Sequence, residues 1–281
     1  MMLAQWLQQS QRQLEAAGSE SAALDARLLL AHVLAKPTSY LFTWPEKALA
    51  PDEVNQAATL LQRRLQGEPM AYILGEQEFY GYPFYVSPAT LIPRPDTELL
   101  VERVLALAPA GTQQVLDLGT GSGAIALSLA KERPHWHLTA VDNSLDALRV
   151  AEQNKQRLGA SNCTLLLSHW FEKITQRYNL IVSNPPYIDP NDQHLTQGDV
   201  RFEPSSALVA DDKGLADIAY LVGAAQQHIY PGGLLMLEHG YDQGQQVREL
   251  MLAAGWQQVQ TEQDYGARDR ITYGYAGSFL E

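Results

Sequence analysis

The chain has 281 residues, enough for two domains, and its 46% hydrophobic and 19% charged residues are those of an ordinary globular protein. Its net charge of −12 arises almost wholly after residue 75, where 25 acidic and 14 basic residues disfavour tight binding to bare nucleic acid. One cysteine and scattered histidines predict neither disulfides nor a metal site, and the lack of a signal sequence or a long apolar run predicts a cytoplasmic protein.

Residues 1–75 are predicted to form a small helical bundle. Apolar residues recur there at the spacing of one helix face, and Pro37 and Pro51 mark the end of one helix and the start of another. No reactive side chains cluster in this part, so we expect a packing or recognition domain without chemistry of its own. The apolar residues that carry the pattern are Trp6, Leu7, Leu14, Leu24, Leu28, Ala31, Leu34, Leu60, Leu61 and Leu65, with Leu29 and Leu30 widening the apolar face of the second helix.

Residues 76–95 differ in character and are predicted to form a β-hairpin linker. Aromatic residues alternate with turn residues around Gly81, and prolines at positions 88, 93 and 95 stiffen the exit from the hairpin. The third part of the chain, residues 96–281, begins with a helix for which Asp96 or Thr97 is the expected cap.

From residue 113 onward, strand-like apolar runs alternate with helical stretches such as Leu145–Leu158 and Gly214–His228. This alternation is typical of a mainly parallel sheet that is covered by helices on both faces. The predicted strands are Val115–Leu118, Leu138–Val141, Thr164–Leu167, Leu180–Val182, Leu234–Leu237, Gln257–Gln260 and Ile271–Tyr275.

Three alternate glycines follow the first of these strands, in the stretch LDLGTGSG. Glycine suits a backbone that turns sharply and approaches a ligand closely, although tight loops also use glycine for packing alone. The spacing differs from the phosphate-binding GxxxxGK and dinucleotide-binding GxGxxG patterns. It resembles the first motif of class I S-adenosylmethionine-dependent methyltransferases. The resemblance implies that the amino-acid end of that cofactor is bound by Gly119, Thr120, Gly121, Ser122 and Gly123.

Two further side chains follow the next strands. Asp142 can accept both ribose hydroxyls of a nucleoside, or it can cap the helix that follows, together with Ser144. With the glycine loop alongside, the ribose role is favoured. Trp170, after the third strand, can stack on an adenine ring or pack in the core. We interpret the neighbouring His169 as a surface or packing residue.

The fourth strand ends in SNPPY, a rigid turn with an amide before two prolines and a phenol after them. It resembles the (N/D/S)PP(Y/F/W) motif of amino-methyltransferases, which methylate a nitrogen conjugated with a ring or a carbonyl group. The resemblance implies that Asn184 and the Pro185 carbonyl accept the two N–H groups of the target, beside the cofactor. Pro186 would also contact the substrate, and the Tyr187 ring would lie against the target and the transferred methyl group.

The order of motifs along nearly the whole chain resembles the HemK/PrmC protein-(glutamine-N5) methyltransferases. The resemblance implies a Rossmann-like α/β fold with a seven-stranded, mainly parallel sheet, preceded by an N-terminal helical bundle and a β-hairpin linker. It implies S-adenosylmethionine as the cofactor and class-one peptide chain release factors as the protein partner, methylated on the glutamine of their GGQ motif. The matching motifs are EFYG, LIPRPDTE (Leu91–Glu98), LDLGTGSG, VSNPPYI, DVRFEP (Asp199–Pro204) and LEHGYDQG (Leu237–Gly244).

Three alternatives stay open. A DNA or RNA amino-methyltransferase acting on adenine N6 would use the same turn, but the acidic body offers no basic groove. A ribosomal-protein glutamine methyltransferase is disfavoured by the segment Pro95–Glu98, and a binding module without chemistry would not need the amide and phenol of the SNPPY turn. Arg201 and Glu203 are expected at the substrate entrance or in an ion pair, and Asp264–Arg270 matches the family only approximately. We expect a monomer that acts on a protein, not on a membrane or directly on nucleic acid.

Overall fold

The computed structural model describes residues 1–277, which form two compact units. Residues 1–75 and 197–202 make up the first, which we call the helical unit. Residues 76–196 and those from 203 onward make up the second, the sheet unit. Within the described chain, no helix is both long and apolar enough to cross a membrane.

The helical unit contains five helices that enclose a core of their own. They are α1 (Leu3–Ala16), α2 (Ala22–Leu34), α3 (Thr38–Thr43), α4 (Pro51–Leu65) and α5 (Met70–Leu74). The predicted face of α2 is wrong in part, because Leu24 is 49% exposed and Leu28 is only partly buried. The predicted Leu29, Leu30, Ala31 and Leu34 are buried, and so are Ala22, Asp25 and Ala26, which were not predicted.

Asp25 accounts for the shifted face of α2. Its carboxylate is 3% exposed, and it accepts hydrogen bonds from Nε of Arg64 at 2.8 Å and from the hydroxyls of Ser19 and Ser21 at 3.0 and 2.8 Å. A buried carboxylate must be paired and hydrogen-bonded, so the core face rotates to include it. Hydrophobic periodicity misses this arrangement because it counts every charged residue as exposed.

Residues 197–202 belong to the helical unit although they lie far along the chain. The carboxylate of Asp199 lies 3.5 Å from Nη1 of Arg64, and Arg201 donates a hydrogen bond to the carbonyl oxygen of Gln66 at 3.0 Å. A guanidinium of Arg201 also fills the space above Gly67. Local sequence pattern carries no signal for this return, since it depends on pairing across more than a hundred residues.

The sheet unit begins with the expected hairpin, formed by β1 (Glu76–Phe79) and β2 (Tyr82–Tyr85). Its two turn residues, Tyr80 and Gly81, have φ values of 52° and 73°, the left-handed pair that a two-residue hairpin turn requires. The amide of Tyr80 donates to the Glu98 carboxylate at 3.0 Å, which fastens the hairpin to the next helix.

That next helix, α6 (Pro95–Leu107), starts earlier than expected. Its N-cap is Arg94 and its first residue is Pro95, a position that suits proline because the first helical N–H has no partner within the helix. The prediction that Asp96 or Thr97 caps the helix is therefore wrong. Thr97 instead lies in the first turn of α6 with 5% of its surface exposed, and its hydroxyl oxygen accepts a hydrogen bond from the Asn184 side chain.

The main sheet has seven strands in the order β5-β4-β3-β6-β7-β9-β8, and every predicted strand lies inside an observed one. Strands β3 to β7 pair in parallel, while β9 is antiparallel to both of its neighbours. The mainly parallel seven-stranded sheet is thus confirmed. The strands are β3 (Gln114–Leu118), β4 (His137–Asp142), β5 (Cys163–Leu167), β6 (Tyr178–Ser183), β7 (Ile229–Glu238), β8 (Gln257–Gln263) and β9 (Asp269–Tyr275).

Helices cover both faces of this sheet. Side chains alternate along each strand, so Val115 and Val182 enter one apolar cluster with α6, whereas Leu116 and Ile181 enter the opposite one. The predicted helix Gly214–His228 is shorter than expected, because its α-helical part ends at Ala224 and a 3₁₀ turn follows. The remaining helices are α7 (Ala124–Glu132), α8 (Leu145–Leu158), α9 (Asp211–Gly214), α10 (Ala216–Ala224) and α11 (Gly244–Ala253).

Candidate active site

Four strands end side by side at one edge of the sheet. Leu118 of β3 pairs with Val141 of β4 on one side and with Ser183 of β6 on the other, and Ser183 pairs with Leu237 of β7. Chain order reverses between β3 and β6, which is where open α/β sheets bind their ligands. The residues that come next in the chain lie at one level of this edge, with Asp142 and Glu238 as the last residues of their strands; they are Gly119, Asp142, Asn184 and Glu238.

The three glycines of the loop after β3 have different surroundings. Their φ values are 73°, 57° and 85°, so any side chain would be strained at each position. A Cβ on Gly123 would lie 2.7 Å from Cδ1 of Leu127, which identifies a packing role, and one on Gly119 would lie 3.4 Å from the Trp170 indole. A Cβ on Gly121 would meet nothing within 4 Å. The loop therefore leaves open space beside Gly121, where a ligand can approach the backbone.

The buried Asp117, in β3, anchors the glycine loop that follows this strand. Its Oδ2 accepts a hydrogen bond from the Thr120 hydroxyl at 2.6 Å, and the side chain is 1% exposed. Burial raises the pKa of Asp117 to about 7, and the Thr120 hydrogen bond opposes that rise. The carboxyl group thus fixes the shape of the loop from inside the protein, away from the cavity above it.

Asp142 supports the loop and the next helix together. Its Oδ2 accepts from the Gly121 amide and its Oδ1 from the Ser144 amide, both at 2.8 Å. Ser144 is the cap of α8, and its hydroxyl accepts from the amide of Ala147 at 3.2 Å. Burial raises the pKa of Asp142, while these backbone hydrogen bonds oppose the rise. Each carboxylate oxygen keeps a second lone pair, so Asp142 can still accept from a ligand hydroxyl.

An open cavity within the sheet unit lies above these loops, and its empty space out to the mouth is about 1080 Å³. The indole of Trp170, 9% exposed, forms part of its wall, and the more exposed His169 lies beside it. Burial raises the pKa of Asp217, another wall residue, and the nearby His169 and Trp170 oppose that rise. Further wall residues are Phe79, Leu91, Arg94, Thr97, Asn143 and Ser206.

Hydrogen bonds from three sides hold the SNPPY turn. The Ser183 hydroxyl donates to the carbonyl of Leu118 at 2.6 Å, which ties β6 to the start of the glycine loop. The Asn184 side chain donates through Nδ2 to Oγ1 of Thr97 at 3.3 Å. The Tyr187 hydroxyl donates to Oε1 of Glu238 at 3.2 Å, behind the cavity wall. The turn is therefore fixed at both ends before any ligand arrives.

The structure brings most of the predicted site residues to this cavity. Among the described residues, those predicted to contact the cofactor or substrate that line it are Gly119, Thr120, Gly121, Ser122, Asp142, Trp170, Asn184 and Pro186. Gly123, Pro185 and Tyr187 are not in the wall. Pro185 is buried, and the carbonyl of Tyr187 accepts a hydrogen bond from Gln243 at 3.0 Å. Their assigned contacts with ligands stay predictions.

Sequence reasoning missed Thr97 and Glu238. Both lie in stretches that carried the family resemblance, LIPRPDTE and LEHGYDQG, but Thr97 was interpreted as a cap and Glu238 received no role. Glu238 is 1% exposed at the end of β7. Burial raises its pKa to about 7, while the nearby Thr97, the charge of Arg270 and the hydrogen bond from Tyr187 oppose the rise. A signal was available, because burying an acidic residue at the end of an apolar strand costs free energy unless its carboxyl group is hydrogen-bonded or paired.

The raised pKa of Glu238 predicts a pH-dependent stability. Between its unfolded value near 4.5 and its folded value near 7, the folded protein holds a proton that the unfolded chain has lost. The stabilisation is therefore complete below pH 4.5 and is lost as pH rises through 7, by about 3 kcal/mol at most. Glu238→Gln cannot titrate, so its free energy of unfolding should gain on that of the wild type over this range. Urea denaturation at pH 5, 6, 7 and 8 measures the difference, and a constant difference would contradict it.

Three further acidic residues outside the SNPPY turn lie beside arginines. The buried Glu203 forms an ion pair with Arg94 and accepts from the Ile92 amide at 3.1 Å, so its observed ionic partner is Arg94. In the C-terminal segment, Arg270 lies 3.2 Å from Asp264 and 3.4 Å from Asp96. Within residues 1–277, no group of three or more histidine, cysteine or acidic side chains could hold a metal ion.

Fold and cavity together define a methyltransferase domain of the Rossmann-like type. A family model described as "Methyltransferase small domain" matches residues 95–208. A methyltransferase from Pyrococcus furiosus has the same fold, with a TM-score of 0.55 and 18% identity over 78% of this chain and 99% of that one. A second structure with this fold is the 16S rRNA N2 G1207 methyltransferase of T. thermophilus, solved with AdoMet and guanosine. Its TM-score is 0.53, with 23% identity over 72% of this chain and 49% of that one.

Comparisons of sequence point to one specific family of methyltransferases. A family model for the "PrmC N-terminal domain" matches residues 5–75. A protein named release factor glutamine methyltransferase from Pseudomonas aeruginosa is 54% identical to this chain, over 91% of this chain and 93% of its own length. The protein of that name from Vibrio cholerae is 52% identical, over 95% of this chain and 94% of its own length. The Escherichia coli protein of that name is 48% identical, over 96% of this chain and 97% of its own length. The chain belongs to the release factor glutamine methyltransferase family, and it is an enzyme.

Proposed function

We propose that this enzyme transfers a methyl group from S-adenosylmethionine to the side-chain amide nitrogen, N5, of the glutamine in the GGQ motif of class-one peptide chain release factors. The observation that carries the proposal is the Asn184 amide at the cavity wall. Its nitrogen is committed to Thr97, so its oxygen is the end that a substrate N–H can use. Relatives that carry this name at about half identity over nearly the whole chain support the substrate.

The cavity fits this cofactor by the chemistry of its wall. Asp142 has acceptor capacity for ribose hydroxyls, Gly121 leaves space for the amino-acid end, and Trp170 offers a flat apolar surface for the adenine. Thr120, Ser122 and Asn184 complete the proposed contacts. When bound, the cofactor supplies an electrophilic methyl group on a sulfonium.

The residues of the turn address the weakness of an amide as a nucleophile, since its nitrogen lone pair is delocalised into the carbonyl. Oδ1 of Asn184 and the carbonyl oxygen of Pro185 accept the two N–H groups, which fixes the nitrogen and makes it more electron-rich. The double proline sets the direction of that carbonyl before the substrate binds, so positioning it requires little further loss of conformational entropy. No strong base is needed, because a proton leaves the nitrogen readily once it has become cationic.

Tyr187 contributes from behind the turn. Burial raises the pKa of its hydroxyl, and the Glu238 charge raises it further, so the phenol stays a neutral donor to Glu238. Glu238 holds the hydroxyl of Tyr187, and Gln243 donates a hydrogen bond to its main-chain carbonyl oxygen. A fixed aromatic ring beside Asn184 would favour the positive charge that develops on the nitrogen.

Methylation assays with labelled S-adenosylmethionine test the proposal. Four substrates are compared: a release factor, its GGQ→GGA variant, adenine-containing DNA and a ribosomal protein. We expect label on the wild-type release factor alone, at the glutamine of GGQ. Label on DNA would assign the chain to the nucleic-acid amino-methyltransferases. Label only on the ribosomal protein would assign it to the glutamine methyltransferases that act on ribosomal proteins. Cofactor binding without methyl transfer would indicate a binding module without catalytic activity.

We further propose that the protein works as a cytoplasmic monomer, with residues 1–75 gripping the release factor away from the transfer site. One chain carries every residue named above, and these helices present no reactive cluster. The acidic body, with 25 acidic and 14 basic residues after position 75, suits a basic protein surface better than nucleic acid. Size-exclusion chromatography with light scattering should give 31.1 kDa, and twice that mass would contradict the monomer.

A further inference from the structure

The helical unit carries aromatic rings that its own core does not use. Only Leu41 of α3 is buried, whereas Phe42 is 65% exposed and Trp44, which follows the helix, is 57% exposed. Within residues 1–277, these two are the only exposed side chains of phenylalanine or tryptophan. Large apolar rings are normally removed from water, so folding of the chain alone does not account for their position.

The first flank of α3 combines two rings with two cations. The ring centres of Tyr40 and Trp44 lie 6.5 Å apart. Nζ of Lys36 lies 5.7 Å from the centre of the Tyr40 ring, and Nζ of Lys47 lies 5.9 Å from it. Aromatic faces attract cations at this distance, so the two ammonium groups are held beside the rings.

Phe42 repeats the arrangement on the opposite flank. Residues two apart on an α-helix differ by about 200° in direction, so Phe42 points away from Tyr40. Cζ of Arg27, in α2, lies 5.5 Å from the centre of the Phe42 ring. The exposed Ser39 and Thr43 form the ridge between the two flanks. We call the six side chains of both flanks the α3 surface: Arg27, Lys36, Tyr40, Phe42, Trp44 and Lys47.

The α3 surface is basic in a chain that is acidic as a whole. Residues 27–47 contain three basic side chains and one acidic side chain, a net charge of +2 (3 − 1), against −12 for the whole chain. Lys47 lies 3.4 Å from the Glu53 carboxylate. Arg27 and Lys36 form no ion pair with any residue of the described chain, so their charges are available to a partner.

This combination of side chains favours an acidic protein segment as the occupant. Such a segment can bury apolar side chains against the rings and pair its carboxylates with the cations. Nucleic acid fits less well, because its binding depends on neutralising many phosphates and residues 1–75 hold 6 basic and 7 acidic side chains. We infer that the α3 surface docks an acidic segment of the release factor that lies outside the GGQ tripeptide. This rests on the proposed role of residues 1–75 in binding that factor.

A docking contact has a recognisable effect on the kinetics. It holds the substrate equally well in the ground state and in the transition state, so its loss raises KM and leaves kcat unchanged. The α3 surface belongs to the helical unit, whereas the residues proposed for methyl transfer belong to the sheet unit. A short GGQ peptide lacks the acidic segment, so its kcat/KM should not depend on the α3 surface.

Two double variants each remove one property of the α3 surface. Phe42→Ala with Trp44→Ala removes the exposed rings, and Arg27→Glu with Lys36→Glu reverses the two unpaired charges. We expect each to raise KM for the intact release factor about tenfold or more, with kcat and the Kd for S-adenosylmethionine within about twofold. The effect of charge reversal should shrink at high salt, because salt screens exposed charges, and the effect of ring removal should persist.

Matched controls lie outside the α3 surface. Leu252→Ala removes a 59% exposed apolar side chain from α11, and Arg12→Glu reverses an exposed charge on α1. Both should keep the wild-type KM. Unchanged KM in both double variants, or equal increases in the controls, would overturn the inference. If thermal melting shows that a double variant is unfolded, Lys36→Glu alone, at an exposed position, carries the same test.

Cross-linking identifies the occupant without relying on turnover. A benzophenone side chain in place of Phe42 should cross-link to the intact release factor, and mass spectrometry should locate the link in an acidic segment outside the GGQ tripeptide. Links to a basic segment, to an added single-stranded oligonucleotide or to a second copy of this chain would overturn the inference. If the expected link forms and the wild type does not methylate the factor, only the proposed function fails.

Discussion

Asn184→Ala is expected to lower kcat by about a hundred- to a thousandfold while the Kd for S-adenosylmethionine changes less than tenfold. The side-chain oxygen is one of two acceptors proposed for the glutamine amide, and losing one preorganised polar contact at a reacting centre has effects of this size. Because the contact matters most in the transition state, the loss should fall on kcat and on kcat/KM together. Single-turnover assays with excess enzyme, together with calorimetric cofactor binding, measure the two quantities.

A matched control separates this effect from general damage to the cavity. Asn143 lines the same cavity and is exposed, but its backbone follows β4, away from the SNPPY turn. Asn143→Ala should therefore leave kcat within about threefold, on the usual scale for a surface change. Wild-type turnover in Asn184→Ala would refute the two-acceptor mechanism. A tenfold or greater weakening of cofactor binding in that variant would move the role of Asn184 from substrate to cofactor.

The sheet and the loops at its edge could be predicted from local pattern because each depends on residues close in sequence. Strands such as Leu180–Val182 are short apolar runs, and the glycines after β3 mark a turn that only glycine adopts without strain. Parallel pairing then brings the ends of separate strands together. The positions of Gly121, Asp142 and Asn184 around one cavity follow from this general rule.

The supports behind these residues could not be predicted in the same way. Thr97 and Asn184 are 87 positions apart, and Tyr187 and Glu238 are 51 apart. Their contacts depend on which helix turn faces which strand end, and that depended on Pro95, rather than Asp96 or Thr97, setting the start of α6. A polar residue assigned to a cap is removed from consideration for the site, so one wrong helix boundary concealed the contact between Thr97 and Asn184.

The helical unit shows the same limit in its packing. Hydrophobic spacing located α2 but rotated its face, because the buried Asp25 was counted as polar and Leu24 as apolar. The carboxylate is buried only because Arg64, 39 positions later, neutralises it. A pattern confined to one helix contains no information about a partner on another. Charged residues in a core are therefore the places where sequence periodicity is expected to fail.

Asp142→Ala is expected to weaken S-adenosylmethionine binding by about 10²- to 10³-fold. Charge-assisted hydrogen bonds contribute about 1.5–3 kcal/mol each, and the substitution removes the acceptors proposed for both ribose hydroxyls. It also releases the Gly121 amide, so the loop beside the cavity loses an anchor. Isothermal titration calorimetry with the cofactor alone measures the effect. Asp146→Ala, four residues later on the exposed side of α8, is the control and should bind as the wild type does.

Ser144→Ala separates ligand binding by Asp142 from its part in starting α8. If Asp142 acted mainly through the helix, loss of the Ser144 cap would weaken cofactor binding in a similar way, since both groups hold the same first turn. We expect Ser144→Ala instead to cost about 1 kcal/mol of stability, as for other capping serines, and to leave the Kd within about threefold. Equal losses of affinity in Asp142→Ala and Ser144→Ala would show that the carboxylate shapes the helix start and does not bind the ribose.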